Sequence, residues 1–357
     1  MGNSVHWTLQ WRGDRPVRFP AQLLLMAHRT ARDWLSLVVR LALLALVLGF
    51  ATYYLARQWN EVGAALSEMS PLYLGLSMLV VLAGLVVITL AWVTLLNGLG
   101  PRVPIAKGAQ IALVGSLGKY VPGSLWAYVM QMELGRASGV VRSRVLIASL
   151  YAAGIGVVAS LLLGSLSLPL LASRPEVLWL FALLPPGLIC LHPKILTAMA
   201  SFILKLAKRP PLTHTVSGVT VAKAMGWTLL GYLLYGLHLW LLAGSMVTWD
   251  LTVLLLVTGA VSIGFTVSLL AFLLPSGVGV REAVLIAAMS LVMSQAQAAA
   301  VSLVSRLMFT AGDLMAAGAA ALVAVALRPK GAERVAGPSG LDDAEGPEGT
   351  DARPLGA

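Results

Sequence analysis

Two short stretches of this chain combine helix-breaking residues with full charges inside long apolar runs. The first, 118–126, contains Lys119, Tyr120, Pro122, Gly123 and Trp126. The second, 274–282, contains Pro275, Gly277, Gly279, Arg281 and Glu282. In hydrocarbon an unpaired backbone group costs several kcal/mol, so such breaks persist only where protein or a water-filled cavity receives them. Charges at membrane depth are costly as well, and they mark functional sites.

Each break ends one half-helix and begins another, and a helix start presents free N–H groups to an anion. Lys119 adds a point cation to the first break, where Tyr120 and Trp126 supply rings suited to a lipid headgroup beside acyl chains. In the second break, the glycines allow close backbone approach. Arg281 can bind a phosphate through two N–H donors, and Glu282 suits the first helical turn. The pattern predicts a site for a phosphate or carboxylate group.

Two further charges, Arg306 and Asp313, are seven residues apart in the last apolar run and share a helical face. Three cations against two acids leave a positive excess that an anionic ligand would balance. The alternative is structural, with Arg281–Glu282 as a local ion pair at the turn and Arg306–Asp313 as a buried packing pair. His238, inside another apolar run, is expected to have a packing function.

The composition places these residues in a membrane. Of 357 residues, 58% are hydrophobic and only 11% are charged, against about 25% charged in soluble proteins. Apolar runs near the 20 residues that a spanning helix needs occur at 35–55, 72–96, 145–171, 177–191, 222–246 and 298–327. The predicted fold is an all-α polytopic membrane protein with about six spanning helices and two inverted re-entrant helical hairpins.

The hairpins follow from the positive-inside bias. Basic residues flank 105–131 on both sides, so this segment is predicted to enter the membrane and return, with a turn at Pro122–Gly123. The segment 252–293 is predicted to do the same from the outside, with a turn at Pro275–Gly279. Both termini are then cytoplasmic. A full span at 252–274 is the alternative, and it would leave the C-terminus outside.

Outside the hairpins, the segment 194–208 has apolar residues on one helical face and lysines on the other, which predicts an interfacial helix. A linker or cytosolic helix is the alternative. The predicted organisation is a basic cytoplasmic segment at 1–34, a membrane domain at 35–327 and a polar, disordered cytoplasmic tail at 328–357.

Several classes of function are not expected. The net charge of +10 comes mostly from residues between spans, where lipid headgroups explain it better than nucleic acid. The chain has no metal-spaced cluster, no phosphate-binding Gly-rich loop and no catalytic motif, so neither a cofactor nor a metal nor an enzyme activity is predicted. The single cysteine, Cys190, excludes an internal disulfide.

The two breaks resemble the two signatures of the lysylphosphatidylglycerol synthase transmembrane-region, or flippase-like, family. The similar residues are Lys119-Tyr120-x-Pro122-Gly123-x-x-Trp126, Pro275-x-Gly277-x-Gly279-x-Arg281-Glu282 and, in the last span, Arg306. The resemblance implies a membrane domain that, in the best-understood members, moves an aminoacylated phospholipid between leaflets. Those members carry a soluble aminoacyl-transfer domain after the membrane region. Only the short tail follows it here, so lipid aminoacylation is not expected.

The sequence therefore predicts a lipid translocator of the cell membrane that moves an anionic phospholipid or polyprenyl-phosphate-linked lipid. Its partners would be the headgroup itself and, in one alternative, a cell-envelope glycosyltransferase or synthase. In that alternative the chain is a non-catalytic accessory subunit. A third hypothesis is an enzyme acting on polyprenyl phosphate, with Glu133, Glu282 or Asp313 as general base.

Overall fold

A computed structural model of the protein describes residues 64, 67–120, 125–167, 182, 184–206, 216–247, 249–271 and 279–326. This part of the chain is helical, without a β-strand. Its α-helices are α1 Pro71–Gly98, α2 Ile105–Ser116, α3 Leu125–Ala137, α4 Arg142–Gly164, α5 Leu184–Cys190, α6 Pro193–Leu206, α7 Gly218–Ala243, α8 Leu251–Leu270, α9 Val280–Met289 and α10 Gln295–Ala326. The predicted N-terminal segment, the first span and the tail lie outside the described residues. So do both turn tips, at 121–124 and 272–278.

Five described helices are long and apolar enough to cross a membrane: α1, α4, α7, α8 and α10. Four of them match the predicted spans at 72–96, 145–171, 222–246 and 298–327. Of the predicted span 177–191, the structure describes residue 182 and the segment 184–191, which includes the seven-residue α5. The protein is therefore an all-α polytopic membrane protein, as the composition predicts. Because α8 is long and apolar enough to cross the whole membrane, the structure does not distinguish a re-entrant second hairpin from a full span, and re-entry stays a prediction.

Local sequence explains where the helices begin and turn. Proline occupies the first position of α1, where no intrahelical N–H is needed. The Ser217 hydroxyl accepts a hydrogen bond from the Thr220 N–H at the start of α7. Between α3 and α4, Gly139 has a φ of +77°, and the Val140 N–H donates to the Gly135 carbonyl at 2.8 Å. Glycine is favoured at such a left-handed position, which allows the chain to reverse within a few residues.

The helix α1 packs against α7 in the opposite direction and against α10 in the same direction. Gly84 faces Tyr235, and farther along α1 Gly98 faces Thr220, earlier in α7. The absence of side chains at these glycines allows the two helices to approach closely. Gly312 of α10 lies against Val81 of α1, and the Ser77 hydroxyl contacts the Met308 sulfur at 3.7 Å. The end of α10 therefore lies at the same end of the bundle as the end of α1.

The first predicted hairpin is a pair of short antiparallel helices. A Cβ at Gly115 would lie 2.9 Å from the Gln131 Cα, and one at Gly118 would lie 2.7 Å from the Ala127 nitrogen. Contact at both positions makes α2 and α3 antiparallel. Each has 12 or 13 residues, a length of about 18–20 Å. Neither alone reaches the ~30 Å thickness of a hydrocarbon core.

The second predicted hairpin, α8 and α9, runs in the opposite sense. The helix α8 is antiparallel to α7, because Gly236 faces Thr258 and Gly244 faces Trp249. The ten-residue α9 leads through a tight turn at 290–294 into α10, so α9 returns toward the end at which α8 began. The two helix pairs therefore enter the bundle from opposite ends.

The predicted interfacial helix corresponds to α6. Leu196 and Ala200 are buried, and the Tyr151 hydroxyl of α4 donates a hydrogen bond to the Leu196 carbonyl at 2.8 Å. Met199 and Phe202 are exposed, at 46% and 68%. One side of α6 thus packs on the bundle, and large apolar side chains remain on another. Whether α6 lies at a membrane surface stays a prediction.

Candidate functional site

The tip of the first hairpin carries two side chains that converge on one carboxylate. A 3-10 helix, Leu117–Tyr120, follows α2 and holds Lys119 and Tyr120. The Lys119 Nζ lies 2.6 Å from the Asp313 Oδ2, and the Tyr120 hydroxyl donates a hydrogen bond of 2.6 Å to the same oxygen. Asp313 is only 3% exposed. The first break is thereby joined to α10.

The start of α9 carries a second carboxylate, Glu282, with two different partners. Its Oε2 accepts a hydrogen bond from the Gly279 N–H at 2.7 Å, and its Oε1 lies 3.2 Å from the Arg306 Nη1. Gly279 has a φ of +85°, a conformation that favours glycine. Glu282 therefore stabilises the helix start, as predicted, and also joins the second break to α10.

These ion pairs differ from the structural alternative that the sequence suggests. Neither Arg281–Glu282 nor Arg306–Asp313 is an ion pair among the described residues. Glu282 binds Arg306 instead, and Asp313 binds Lys119, so each carboxylate connects a hairpin to α10 rather than to its sequence neighbour. The physical reason is that Arg306 and Asp313 share one face of α10 but lie about two turns apart along it, so each is next to a different hairpin.

The helix α10 brings both breaks to one region of the bundle. Arg306 and Asp313 are separated by about two helical turns, or roughly 10 Å along the axis. The first hairpin, entering from the end where α1 finishes, reaches Asp313. The second, entering from the other end, reaches Arg306. The two breaks therefore meet at successive levels of one helix.

The third predicted cation, Arg281, is buried against two aromatic rings. It is 5% exposed, and its Cζ lies 4.2 Å from the ring centroids of both Phe265 and Phe309. No carboxylate of a described residue lies within ion-pair distance, and its Nη2 is buried without a hydrogen-bond partner. With two of three cations matched to two acids, the cluster retains one net positive charge, as predicted.

The other predicted site residues are placed unevenly. The backbone of Trp126 packs against Gly118, but its side chain is 50% exposed, so the ring is not enclosed with the charges. Pro122, Gly123 and Gly277 lie in the turn tips, outside the described residues.

The aromatic cluster around Arg281 is not among the features predicted from the sequence. Phe265 stacks on Tyr232 at 5.8 Å between centroids, and Phe309 meets Tyr235 edge-on at 4.8 Å. These residues come from α7, α8 and α10. One available signal was the spacing of Tyr232, Tyr235 and His238 by three residues, which places them on one face of α7.

His238 has the predicted packing function. It is fully buried, with its Nδ1 2.6 Å from the Ser77 hydroxyl and its Nε2 2.9 Å from the Ser305 hydroxyl. The ring therefore joins α7 to α1 and to α10, where its partner Ser305 directly precedes Arg306. Its edge-on contact with Phe309, at 5.3 Å, places it next to the aromatic cluster.

Polar contacts away from the charges hold the first hairpin in place. The Ser149 hydroxyl donates to the Gln131 Oε1 at 2.7 Å and accepts from the Trp92 Nε1 at 3.0 Å. Arg144 is 9% exposed and donates to the carbonyls of Leu96 and Pro101 at 2.6–2.9 Å. These bonds satisfy carbonyls at the end of α1 and fix the start of α4 against it.

The remaining predicted candidate, Glu133, lies in a surface cluster. It is paired with Arg136 at 3.2 Å and with Arg142 at 2.7 Å. The hydrogen bond from Arg142 holds the pKa of the Glu133 carboxyl below its ordinary value. Within the described residues, no group of three His, Cys, Asp or Glu side chains could hold a metal ion.

Comparison with protein families gives one match. Residues 37–327 match the family described as the lysylphosphatidylglycerol synthase TM region. This range contains both breaks and every helix described above. Comparison with curated proteins gives no match.

Proposed function

Because the chain belongs to the family of lysylphosphatidylglycerol synthase TM regions, we propose that it is a translocator of anionic lipids. The observation that carries this proposal is the buried guanidinium of Arg281, at the second break, whose Nη2 has no hydrogen-bond partner. A buried donor without a partner costs free energy, so such a group calls for a ligand. An anionic headgroup supplies the missing acceptor and balances the net positive charge.

The headgroup would bind among Lys119, Arg281 and Arg306 and the backbone at the two breaks, while its acyl or prenyl tails stay in lipid. Asp313 and Glu282 contact two of these cations, Lys119 and Arg306. They would give up part of that contact to the headgroup, or bind an amine on it. Tyr120 would stay beside the site.

The two helix pairs would act as re-entrant hairpins of an inverted repeat in the plasma membrane, with both chain termini in the cytoplasm. Their opposite directions and their meeting on α10 support this arrangement. Alternating exposure of the site to the two leaflets would then require one repeat to move against the other. No catalytic step is proposed, since both carboxylates at the site are engaged by cations.

The test is transport of a fluorescent anionic phospholipid in proteoliposomes. We expect Lys119→Ala and Arg281→Ala each to reduce headgroup translocation at least tenfold, because each removes a charge that compensates the headgroup away from water. Arg136→Ala is the matched control, since Arg136 is an exposed arginine in the surface cluster with Glu133.

Both variants must first match the wild type in solubility and elution profile. Transport at the wild-type rate by both of them would exclude this site from translocation. A rate lowered equally in Arg136→Ala would indicate a general effect of lost positive charge.

A second candidate function is that of an accessory subunit for a cell-envelope glycosyltransferase or synthase. The observation in its favour is the exposed apolar side of α6, formed by Met199 and Phe202 and accompanied by the exposed Lys194 and Lys205. Stoichiometric co-purification of an enzyme that is lost in a Met199→Ser, Phe202→Ser variant would support it. That result would need to coincide with no lipid movement by the purified protein.

A further inference from the structure

Arg281 is stabilised in the protein interior by π-systems rather than by a carboxylate. We infer that Phe265 and Phe309 are positioning residues of the anion site: their rings hold the Arg281 guanidinium while its N–H donors stay available to a phosphate group. This inference rests on the proposed function, and it identifies what prepares the site for its ligand.

The two rings form a corner around the guanidinium. Their centroids are 5.5 Å apart with planes at 78°, and the Arg281 Cζ is 4.2 Å from each. These three distances place the two rings on adjacent sides of the guanidinium, nearly at right angles, and not on opposite sides. The remaining sides are left to other groups, and the Nη2 of Arg281 is buried without a hydrogen-bond partner.

Aromatic rings and carboxylates compensate a buried cation in different ways. A carboxylate accepts hydrogen bonds and so occupies the donors of arginine, as Glu282 does with Arg306. A ring attracts the positive charge through its quadrupole and accepts no conventional hydrogen bond. The corner of Phe265 and Phe309 therefore reduces the cost of burying Arg281 without blocking the fork that binds an oxyanion.

Neighbouring rings fix this corner. Phe265 is stacked on Tyr232, with planes only 6° apart. Phe309 has edge-on contacts with Tyr235 and with His238, whose imidazole nitrogens lie at the hydroxyls of Ser77 and Ser305. The positions of the rings thus depend on α1, α7 and α10 together. A guanidinium held against such a surface loses little further freedom when a ligand binds.

The geometry favours one chemical class of ligand. A planar guanidinium with several free N–H groups matches a phosphate, which offers two acceptor oxygens in the guanidinium plane. Lysine carries the same charge as a point and lacks the fork. Arg281→Lys is therefore expected to bind the ligand at least tenfold more weakly than the wild type, although its charge is unchanged.

The experiment measures binding of dioctanoyl phosphatidylglycerol to the purified full chain in detergent, with dioctanoylglycerol as the tail-matched ligand without phosphate. The key pair is Phe265→Leu and Phe265→Tyr, because leucine keeps most of the apolar volume and tyrosine keeps the ring. We expect leucine to weaken binding about three- to thirtyfold, the range that cation–π contacts span from exposed to desolvated sites. We expect tyrosine to bind within about twofold of the wild type.

Phe309→Leu provides the second test, at a more deeply buried ring, and is expected to weaken binding to a similar degree. Phe202→Leu is the matched control, since Phe202 is 68% exposed on α6. If Phe309→Leu does not fold, the Phe265 pair still decides the question, because a packing function predicts equal binding by its leucine and tyrosine variants.

The outcomes separate this inference from the proposed function. Wild-type or tighter binding by Phe265→Leu, with binding still dependent on Arg281, overturns the inference alone. Equal binding of the phospholipid and dioctanoylglycerol, unchanged in Arg281→Ala, overturns the proposed lipid site and the inference with it. An added arm uses inorganic phosphate as competitor. If phosphate binds as tightly as the phospholipid, the site belongs to free phosphate, and the lipid function fails while the aromatic corner stands.

Discussion

Lys119 and Asp313 form the ion pair that contains the more deeply buried carboxylate of the candidate site. Asp313 is 3% exposed and Lys119 33%, and the Tyr120 hydroxyl donates to the same carboxylate oxygen. A buried carboxylate that loses its partners retains its desolvation cost, which makes the contributions of the two residues interdependent. Sequence position alone could not predict this pair, since Lys119 and Asp313 are 194 positions apart in the chain.

We expect Lys119→Met and Asp313→Asn to be strongly non-additive in thermal unfolding of the detergent-solubilised protein. Each single substitution leaves the other side chain without its partner, whereas the double variant removes both. The coupling free energy should be about 1–3 kcal/mol, the range for contacting residues in one network. The cycle of Arg136→Met and Glu133→Gln on the exposed surface should give a much smaller value. Additive effects at Lys119 and Asp313 would contradict the pairing.

The sequence predicts the charged residues of the site better than their neighbours. Lys119, Arg281, Glu282, Arg306 and Asp313 stand out because charge is rare in apolar runs. Phe265 and Phe309 do not, since a single aromatic residue in such a run is no different from any other apolar residue. The ion pairs Lys119–Asp313 and Arg306–Glu282 could not be predicted from the sequence either, because they depend on which helices become neighbours.

At the scale of elements, the breaks predict helix ends well. The helices α2 and α3 lie on either side of the break at Pro122, and α8 and α9 lie on either side of the break at Pro275, since proline lacks the N–H that a continuing helix needs. Apolar length was less informative: α8 was assigned to a hairpin, yet it is as long and apolar as a spanning helix. Hydropathy does not distinguish a helix of a re-entrant hairpin from a spanning helix, because both are surrounded by apolar groups.

The contact between the start of α3 and the 3-10 helix that follows α2 requires a residue without a side chain at position 118. A Cβ there would lie 2.7 Å from the backbone of Trp126 and Ala127, so Gly118→Ala must separate the two helices. We expect a loss of about 1–3 kcal/mol in the free energy of unfolding, as for other overpacked contacts, together with reduced transport. Thermal unfolding in detergent measures the first, and proteoliposome flux measures the second.

Gly154→Ala is the control for this substitution. A Cβ at Gly154 meets nothing within 4 Å, and the residue lies within α4, where alanine is the better helix former. This variant is expected to be as stable as the wild type or slightly more so. If Gly118→Ala behaves in the same way, the close approach of α2 and α3 is not required.

For the whole molecule, the helix directions fix which ends of the bundle coincide. Because α10 runs parallel to α1, its last residues lie with the loop that carries Arg102, and the loop at Asp250 lies at the opposite end. Charge bias alone suggests this topology only if 252–293 returns to its starting side. The direction of α9, which returns toward the end of the bundle where α8 began, supports this topology, and the course of 252–293 through the membrane stays a prediction.

Labelling of single cysteines in intact cells tests this topology. In a Cys190→Ser background, we expect a membrane-impermeant maleimide to label Asp250→Cys, which is predicted to be outside, and to spare Arg102→Cys and Ala326→Cys, which are predicted to be inside. All three positions are exposed, so each cysteine can react once the reagent reaches it. Permeabilised cells provide the control, in which all three should react. Labelling of Ala326→Cys together with Asp250→Cys would show that α8 and α9 do not form a returning pair.

The seven-residue spacing of Arg306 and Asp313 has a mechanical consequence. Both side chains belong to one uninterrupted helix, yet their partners belong to helix pairs that enter the bundle from opposite ends. A slide of α10 along its axis by one residue would displace both salt bridges together by about 1.5 Å. The slide would move one ion pair toward the end from which its hairpin enters the bundle, and the other ion pair away from the end from which its hairpin enters. A displacement that relieves one hairpin would therefore strain the other.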